Sequence, residues 1–205
     1  MLSFIKENSY NIFKMVINQI VMTVFGLALM FATQNHSTLF LITSVFSAVF
    51  YMFLLYTMTW DCGFEQSRAI ESGKKKFIKG SGAYMALLAN ALNIILAVLL
   101  VVGFASSTEF IMRDAAGEIT ENAAEAVSRS PSAPEWSTDM YGVSRLILVL
   151  VYGMYNGIVA ALPKLNPWIF LALPLPAVAV CGVAYPLGVR GRHLTKLLGQ
   201  KPSLE

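Results

Sequence analysis

The stretch TLFLITSVFSAVFYMFLLYTMTW, from Thr38 to Trp60, contains 23 residues and no charged side chain. A helix that crosses the roughly 30 Å hydrocarbon core of a bilayer needs about 20 mostly apolar residues, because each residue adds about 1.5 Å. The whole chain is 56% hydrophobic and only 13% charged. Soluble domains carry about 25% charged residues, and a domain of this size has too much surface to hide so many apolar side chains. The sequence therefore predicts an all-α integral membrane protein.

Four segments have the length and apolar character of a membrane-spanning helix, and we predict a single membrane domain over residues 1–205. The predicted spans are residues 12–33, 38–60, 83–104 and 168–189. The last span contains Pro174, Pro176 and Pro186. Proline is tolerated in membrane helices where neighbouring groups satisfy the freed carbonyl groups, so we expect this span to be kinked rather than ended.

Positive charge predicts the orientation of the spans, because Lys and Arg are enriched in cytoplasmic loops. The basic connector 61–82 contains Arg68 and four lysines, and Arg190, Arg192, Lys196 and Lys201 follow the last span. Four spans place both basic regions in the cytoplasm and the acidic connector 105–143 outside. We therefore expect a multi-pass protein of a cell (plasma) membrane, of the bacterial inner-membrane type, with its N- and C-termini cytoplasmic.

The segment 144–162 (SRLILVLVYGMYNGIVAAL) leaves the number of spans open. Hydropathy alone would make it a fifth transmembrane helix. A fifth span would move the basic C-terminal residues outside and Trp168 to the inner interface. Four spans place Trp168 at the outer interface, where aromatic side chains concentrate. We favour four spans with 144–162 as a re-entrant or tilted helical segment, and five spans is the alternative.

The outer connector 105–143 shows apolar residues at helical spacing. They are Met112, Ala115, Ala116, Ile119, Ala123, Ala126 and Val127. This pattern predicts an extracytoplasmic amphipathic helix that ends near Ser130. Its stripe is rich in alanine, which suits contact with protein better than deep insertion into lipid.

The basic connector 61–82 contains the first candidate site. Polar and apolar residues after Trp60 predict a short helical extension that Gly73 ends. The segment KKKFIK follows, and it mixes lysines with Phe77 and Ile78. The candidate contacts for lipid headgroups of the anionic inner leaflet are Lys74, Lys75, Lys76 and Lys79. Each such lysine contributes about 1 kcal/mol near an anionic surface. The simpler alternative is that these lysines only orient and anchor the chain.

Uncharged polar residues inside the spans form the second candidate site. This polar cluster contains Asn18, Gln19, Tyr56, Asn90 and Asn93. The amides lie at comparable depth in the cytoplasmic half of two spans, and Asn90 and Asn93 share a helix face because they are three residues apart. Two interpretations stay open: hydrogen bonds that join helices, or a polar cavity that opens to the cytoplasm.

Gly153 and Gly157 match the small-xxx-small pattern, in which small residues allow two membrane helices to approach closely. They are the candidate helix-packing residues, either within the chain or between chains. The pattern is weakly specific, since glycine is common in membrane helices.

The sequence shows no catalytic or cofactor motif. Cys62 and Cys181 have no CxxC spacing and no nearby His, so we expect small buried side chains rather than metal ligands or a disulfide. We expect no enzymatic activity, no cofactor and no nucleic-acid partner. The favoured function is a non-enzymatic accessory or assembly subunit that binds a membrane-protein partner. The second is a small oligomeric transporter or channel with a cytoplasm-facing polar cavity, and the third is a lipid-modifying membrane enzyme.

Overall fold

The computed structural model describes residues 2–33, 35–114, 135–162 and 167–191. Within these residues every regular element is helical and no strand occurs, so the predicted all-α class is confirmed. Most of the predicted outer amphipathic helix falls on 115–134, outside the described residues. The same holds for Arg192, Lys196 and Lys201 of the basic C-terminal region.

The two longest helices come first. Helix α1 covers Leu2–Thr33 and helix α2 covers Ser37–Glu71, with 32 and 35 residues respectively. Helix α2 therefore continues well beyond Trp60, where the apolar run ends. Gly73 follows it with a φ of +71°, a left-handed conformation that glycine adopts without steric cost. Both the helical extension and the glycine that ends it agree with the sequence pattern.

The later apolar segments are interrupted helices. The elements that follow α2 are α3 (Ser81–Ala89), α4 (Ala91–Asp114), α5 (Glu135–Val151), a 3-10 turn (Gly153–Tyr155), α6 (Asn156–Ala160), α7 (Ile169–Ala172) and α8 (Leu175–Val189). The predicted third span is divided at Asn90 into α3 and α4, and a turn at Leu173 and Pro174 interrupts the predicted fourth span.

Three to five helical segments among the described residues are candidates to cross a membrane. Three are long and apolar enough by themselves: Phe4–Thr33, Ser37–Glu71 and Ile169–Val189. Two further candidates are broken helix pairs, α3 with α4 and α5 with α6, and the second pair bends by 79°. That bend lies inside the segment 144–162, and it suits a broken span as well as a re-entrant loop. The structure is thus compatible with a multi-pass membrane protein of three to five spans, a range that includes both predicted numbers.

The chain divides into two compact units. The first unit comprises Met1–Asn18, Tyr51–Ala89 and Pro176–Glu205, and the second comprises Gln19–Phe50 and Asn90–Leu175. The first unit contains the basic segment that follows α2. The second unit contains the break between α5 and α6.

Glycines bring helices close together inside the first unit. A Cβ atom at Gly82 in α3 would overlap the carbonyl oxygen of Cys181 in α8, and one at Gly188 in α8 would overlap the carbonyl oxygen of Trp60 in α2. The Thr59 hydroxyl donates a 3.3 Å hydrogen bond to the Cys181 sulfur. Both cysteines are free and buried, as we expected of small core side chains. Because α8 approaches α2 and α3 this closely, residues near their ends can contact one another.

The second unit is joined by packing of α4 along α5 and by polar contacts to the broken helix. A Cβ atom at Gly103 in α4 would lie 3.0 Å from the backbone nitrogen of Tyr141 in α5. The Thr23 hydroxyl in α1 donates a 2.6 Å hydrogen bond to the carbonyl oxygen of Val151, the last residue of α5. This bond satisfies a carbonyl group that the end of the helix leaves without a partner in its own helix.

Candidate functional site

A chain of hydrogen bonds runs through the first unit from α8 to α1. The Tyr185 hydroxyl donates to Oε1 of Gln66 at 2.8 Å, and Nε2 of Gln66 donates to Oδ1 of Asn8 at 3.3 Å. Nδ2 of Asn8 then donates to the carbonyl oxygen of Phe4 at 2.9 Å. Tyr185 is 2% exposed and Asn8 is 1% exposed, so both depend on these partners. We call Asn8, Gln66 and Tyr185 the Tyr185 network.

The Cys62 sulfur ties α1 and α2 together next to this network. It accepts hydrogen bonds from Nδ2 of Asn11 at 3.1 Å and from Nε2 of Gln66 at 3.3 Å. A thiol sulfur is a weak acceptor, so these contacts orient the two amides more than they add stability. Cys62 thus has a structural role consistent with its burial.

A pocket of about 200 Å³, which we call the lysine pocket, shares a wall with the Tyr185 network. Its charged lining residues are Glu7, Lys74, Lys75 and Lys76, its apolar ones are Phe4 and Ile78, and its buried polar ones are Ser81 and Tyr185. Tyr185 belongs to both the pocket wall and the network. The hydrogen bonds that hold Tyr185 therefore also hold one wall of the pocket.

Two glycines shape the basic segment that supplies the lysines. The N–H of Gly73 donates a 3.1 Å hydrogen bond to the carbonyl oxygen of Ile70, and the N–H of Lys75 donates a 3.0 Å hydrogen bond to the carbonyl oxygen of Ala69. These bonds turn the segment back over the end of α2. Gly80, with a φ of +84°, makes the second reversal just before α3. Left-handed backbone is uncommon for residues with a Cβ atom, so glycine suits both positions. The two reversals place the lysines next to the first turns of α1.

Three of the four lysines that we predicted as headgroup contacts line this one pocket. Nζ of Lys75 lies 3.7 Å from Oε2 of Glu7, and the two side chains are 25% and 59% exposed. Lys74 and Lys76 are exposed at the pocket rim. Lys79 is also exposed but is not among the described residues that line the pocket.

The predicted polar cluster is divided between the two units. Asn18 and Tyr56 belong to the first unit, and Gln19, Asn90 and Asn93 belong to the second. Nδ2 of Asn93 donates to Oδ1 of Asn90 at 3.3 Å, and both residues are buried. The amide nitrogens of Asn18 and Gln19 and the Tyr56 hydroxyl are buried without a hydrogen-bond partner among the described residues. The structure thus pairs two members of the cluster, and a cavity lined by all five stays a prediction.

Gly153 and Gly157, the predicted packing residues, lie against the first two helices of their own chain. A Cβ atom at Gly153 would lie 2.8 Å from Cγ of Leu27 in α1. One at Gly157 would overlap the carbonyl oxygen of Phe40 in α2. Within the second unit, both glycines therefore allow close approach inside the chain.

Ser44, which the sequence reasoning missed, holds the broken helix in the second unit. Its hydroxyl donates to the carbonyl oxygen of Met154 at 2.7 Å and accepts from the N–H groups of Gly157 at 3.1 Å and Ile158 at 3.3 Å. A break in a helix frees such backbone groups, and in lipid they need a protein partner. A serine within an apolar span was the available signal, but its partners lie more than 100 residues away in sequence.

The sequence reasoning also missed the Tyr185 network. We placed the start of the first span at residue 12, whereas α1 begins at Leu2, and we assigned no contacts to the predicted helical extension of α2, which ends at Glu71. Asn8 and Gln66 therefore lie on helices, in the turns that extend beyond the apolar runs. The side-chain amides of Asn8 and Gln66 were the available signal, because an amide in such a turn can hydrogen-bond to a neighbouring helix.

No family model matches the chain, and no curated protein or solved structure matches it. Within the described residues, no group of three or more His, Cys, Asp or Glu side chains is arranged to hold a metal ion. The lysine pocket, with the Tyr185 network as its wall, is the candidate binding site that the geometry defines.

Proposed function

We propose that this chain is a non-enzymatic accessory or assembly subunit of a membrane protein complex, with its termini in the cytoplasm. The observation that carries the proposal is a group of exposed phenylalanine rings in the second unit. Phe46 and Phe50 stack with ring centroids 6.1 Å apart and planes 4° apart, and Phe25 lies 6.3 Å from Phe50. These rings are 58%, 39% and 37% exposed for Phe46, Phe50 and Phe25.

The paired rings favour a protein neighbour over lipid chains. Aromatic pairs attract one another by about 0.5–1.5 kcal/mol beyond the burial of their surface, so the rings favour this arrangement before any partner binds. A surface that is already ordered loses less conformational entropy on association. Helix association in a membrane depends on close packing rather than on the hydrophobic effect, and a fixed surface packs more closely than a mobile one.

The helices also leave most of their apolar surface uncovered. In the most apolar windows of Phe4–Thr33, Ser37–Glu71 and Ile169–Val189, 22%, 28% and 33% of the residues are buried. On α2 the exposed face around the rings continues through Ile42, Val45 and Val49. Lipid and a partner can both cover such surface, and the paired aromatic rings within it are what a partner would recognise.

Native mass spectrometry of the protein, extracted gently from its own membrane, tests this proposal. We expect a second polypeptide in fixed stoichiometry with the chain. The double variant Phe46→Leu with Phe50→Leu keeps the surface apolar but removes the stacked rings, so it should lose that polypeptide. The matched control is Phe13→Leu with Phe31→Leu, since these rings are 63% and 64% exposed and lie outside the stack. The proposal would be overturned if no second polypeptide were found with the chain. It would also be overturned if the Phe46→Leu, Phe50→Leu variant still bound that polypeptide.

A small oligomeric transporter or channel is the second candidate, and buried polar groups favour it. The amide nitrogens of Asn18 and Gln19 and the Tyr56 hydroxyl have no hydrogen-bond partner among the described residues. Buried polar groups in proteins are nearly always hydrogen-bonded, so water or a polar solute is a natural partner for them.

Thiol labelling tests this second candidate in a background where Cys62 and Cys181 are replaced by alanine. If a polar cavity reaches Asn18, then Asn18→Cys should react with a charged, membrane-impermeant thiol reagent. The control is Leu92→Cys, because Leu92 is 68% exposed on an apolar helix face and should be shielded by lipid. Equal and slow labelling of both positions would remove this candidate.

A further inference from the structure

We propose that the lysine pocket binds the phosphate-bearing headgroup of one anionic membrane lipid. This inference rests on the membrane location and cytoplasmic side of the proposed function, and it is independent of any protein partner. Its basis is the combination of charge, size and apolar lining in a single pocket of the first unit.

The charge of the pocket suits an anion. Among the described residues, three lysines line it against one carboxylate, that of Glu7. Lys75 is only 25% exposed, and its ammonium group lies 3.7 Å from Glu7. Charge-assisted hydrogen bonds measure about 2.7–2.9 Å, so this contact is an ion pair rather than a hydrogen bond. An ammonium group has three N–H donors, and a phosphate group has several oxygens that can accept from them.

The volume of the pocket suits a headgroup rather than a whole ligand. It encloses about 200 Å³. Pockets for drug-sized ligands have about 300–1,000 Å³, and a water molecule occupies about 30 Å³ of liquid. A phosphate group and the atoms next to it fit between these limits, and the acyl chains of a lipid would remain outside.

The apolar lining favours a lipid over free phosphate. Phe4 and Ile78 line the pocket together with the lysines, and Ile78 is 42% exposed. Inorganic phosphate has no apolar surface to place against these side chains. A lipid has such surface in its glycerol carbons and the first methylene groups of its chains, and burial of these groups is favourable.

Two contacts hold Tyr185 in the wall of the pocket. Phe77, within the basic segment, stacks on Tyr185 with ring centroids 6.4 Å apart and planes 10° apart. Tyr185 is in turn held by its hydrogen bond to Gln66. The tyrosine proton is donated to Gln66, so Tyr185 positions the basic segment and leaves the contact with the anion to the lysines.

Titration of the purified full-length protein in detergent, followed by native mass spectrometry, tests the proposal. The probe is a short-chain phosphatidic acid, the neutral control is phosphatidylcholine of the same chain length, and the soluble control is inorganic phosphate. We expect one phosphatidic acid per chain, no retained phosphatidylcholine and much weaker binding of phosphate. If inorganic phosphate binds as tightly as the lipid, the lipid assignment is wrong.

Three variants locate the site. Lys75→Gln should lower the affinity for phosphatidic acid by roughly tenfold or more, since it removes charge-assisted contacts. The matched control Lys79→Gln removes the same charge from the same segment outside the pocket, and should change the affinity by about twofold or less. Glu7→Gln should raise the affinity by about threefold, because it removes the only carboxylate among the described lining residues.

Equal losses in Lys75→Gln and Lys79→Gln would overturn the proposal, because they would show diffuse attraction to the basic segment. Unchanged Tm values in detergent would show that the variants are folded. The measurement uses the purified chain alone, so the absence of a protein partner would count against the accessory function and leave this result untouched.

Discussion

Tyr185 and Gln66 are 119 residues apart in the chain, and the phenol of the first donates a 2.8 Å hydrogen bond to the side-chain carbonyl of the second. This contact joins α8 to the part of α2 that extends beyond the apolar run. It also holds one wall of the lysine pocket, so the stability of the fold and the lipid binding that we propose for this pocket should both depend on it.

Replacement of Tyr185 by Phe should destabilise the protein by about 1–3 kcal/mol, because Oε1 of Gln66 loses its donor in a largely buried setting. The stack with Phe77 should persist, since the ring is retained. Thermal unfolding in detergent, followed by circular dichroism, measures the effect. The control is Tyr84→Phe, whose side chain is 52% exposed and should be nearly neutral. Equal stability of the two variants would show that the Tyr185 bond adds nothing.

Replacement of Gly82 by Ala should destabilise the first unit, because the added methyl group would overlap the Cys181 carbonyl oxygen and separate α3 from α8. Overpacking of this kind costs about 1–3 kcal/mol. Gly142→Ala is the control, since a Cβ atom there meets nothing within 4 Å and alanine favours a helix. The unfolding midpoint in a graded series of denaturing detergent measures both. A stable Gly82→Ala protein would contradict the close approach of these helices.

Replacement of Ser44 by Ala should weaken the attachment of the broken helix by about 1–3 kcal/mol, because it leaves backbone groups of the break without their partner. Ser47 provides a matched control, because it is as well buried as Ser44: the two residues are 1% and 6% exposed. The Ser47 hydroxyl, however, donates a 2.8 Å hydrogen bond to the carbonyl oxygen of Thr43 in its own helix. We expect Ser47→Ala to have a clearly smaller effect. Hydrogen exchange of the 153–160 backbone should increase in Ser44→Ala alone. Similar exchange in both variants would argue against the role of Ser44.

A reporter fused after Glu205 should be found in the cytoplasm if four spans are correct, because the basic residues that follow α8 are then retained inside. A second reporter inserted after Ser72 is the internal control, since both topologies place it in the cytoplasm. An extracytoplasmic reporter at Glu205 with a cytoplasmic one at Ser72 would establish five spans and make 144–162 a transmembrane segment.

Predictions from the sequence succeeded where the cause is local. The apolar runs predicted helices, and the glycine at position 73 predicted the end of α2, since a left-handed residue ends a helix wherever it occurs. The lysines 74–76 were visible as a basic segment. Their arrangement around a pocket was not, because it depends on two chain reversals and on the approach of α1.

Residues that meet from distant parts of the chain could not be paired in advance. Ser44, Asn8 and Gln66 each resemble ordinary polar residues near an apolar run, and the partner of each belongs to another helix. Of the predicted cluster of amides, Asn90 and Asn93 are hydrogen-bonded to each other, as their spacing on one helix face allows, and a cavity lined by all five residues stays a prediction.

The sequence by itself determined that this chain is helical and apolar enough for a membrane, because hydropathy and helix length are properties of each segment alone. Only the tertiary structure decided that three lysines, a buried tyrosine and an apolar wall share one pocket, and that a serine in α2 holds the break after α5. The reason is physical: such contacts depend on how helices rotate and approach, and the glycines that permit the approach act only through partners far away in the sequence.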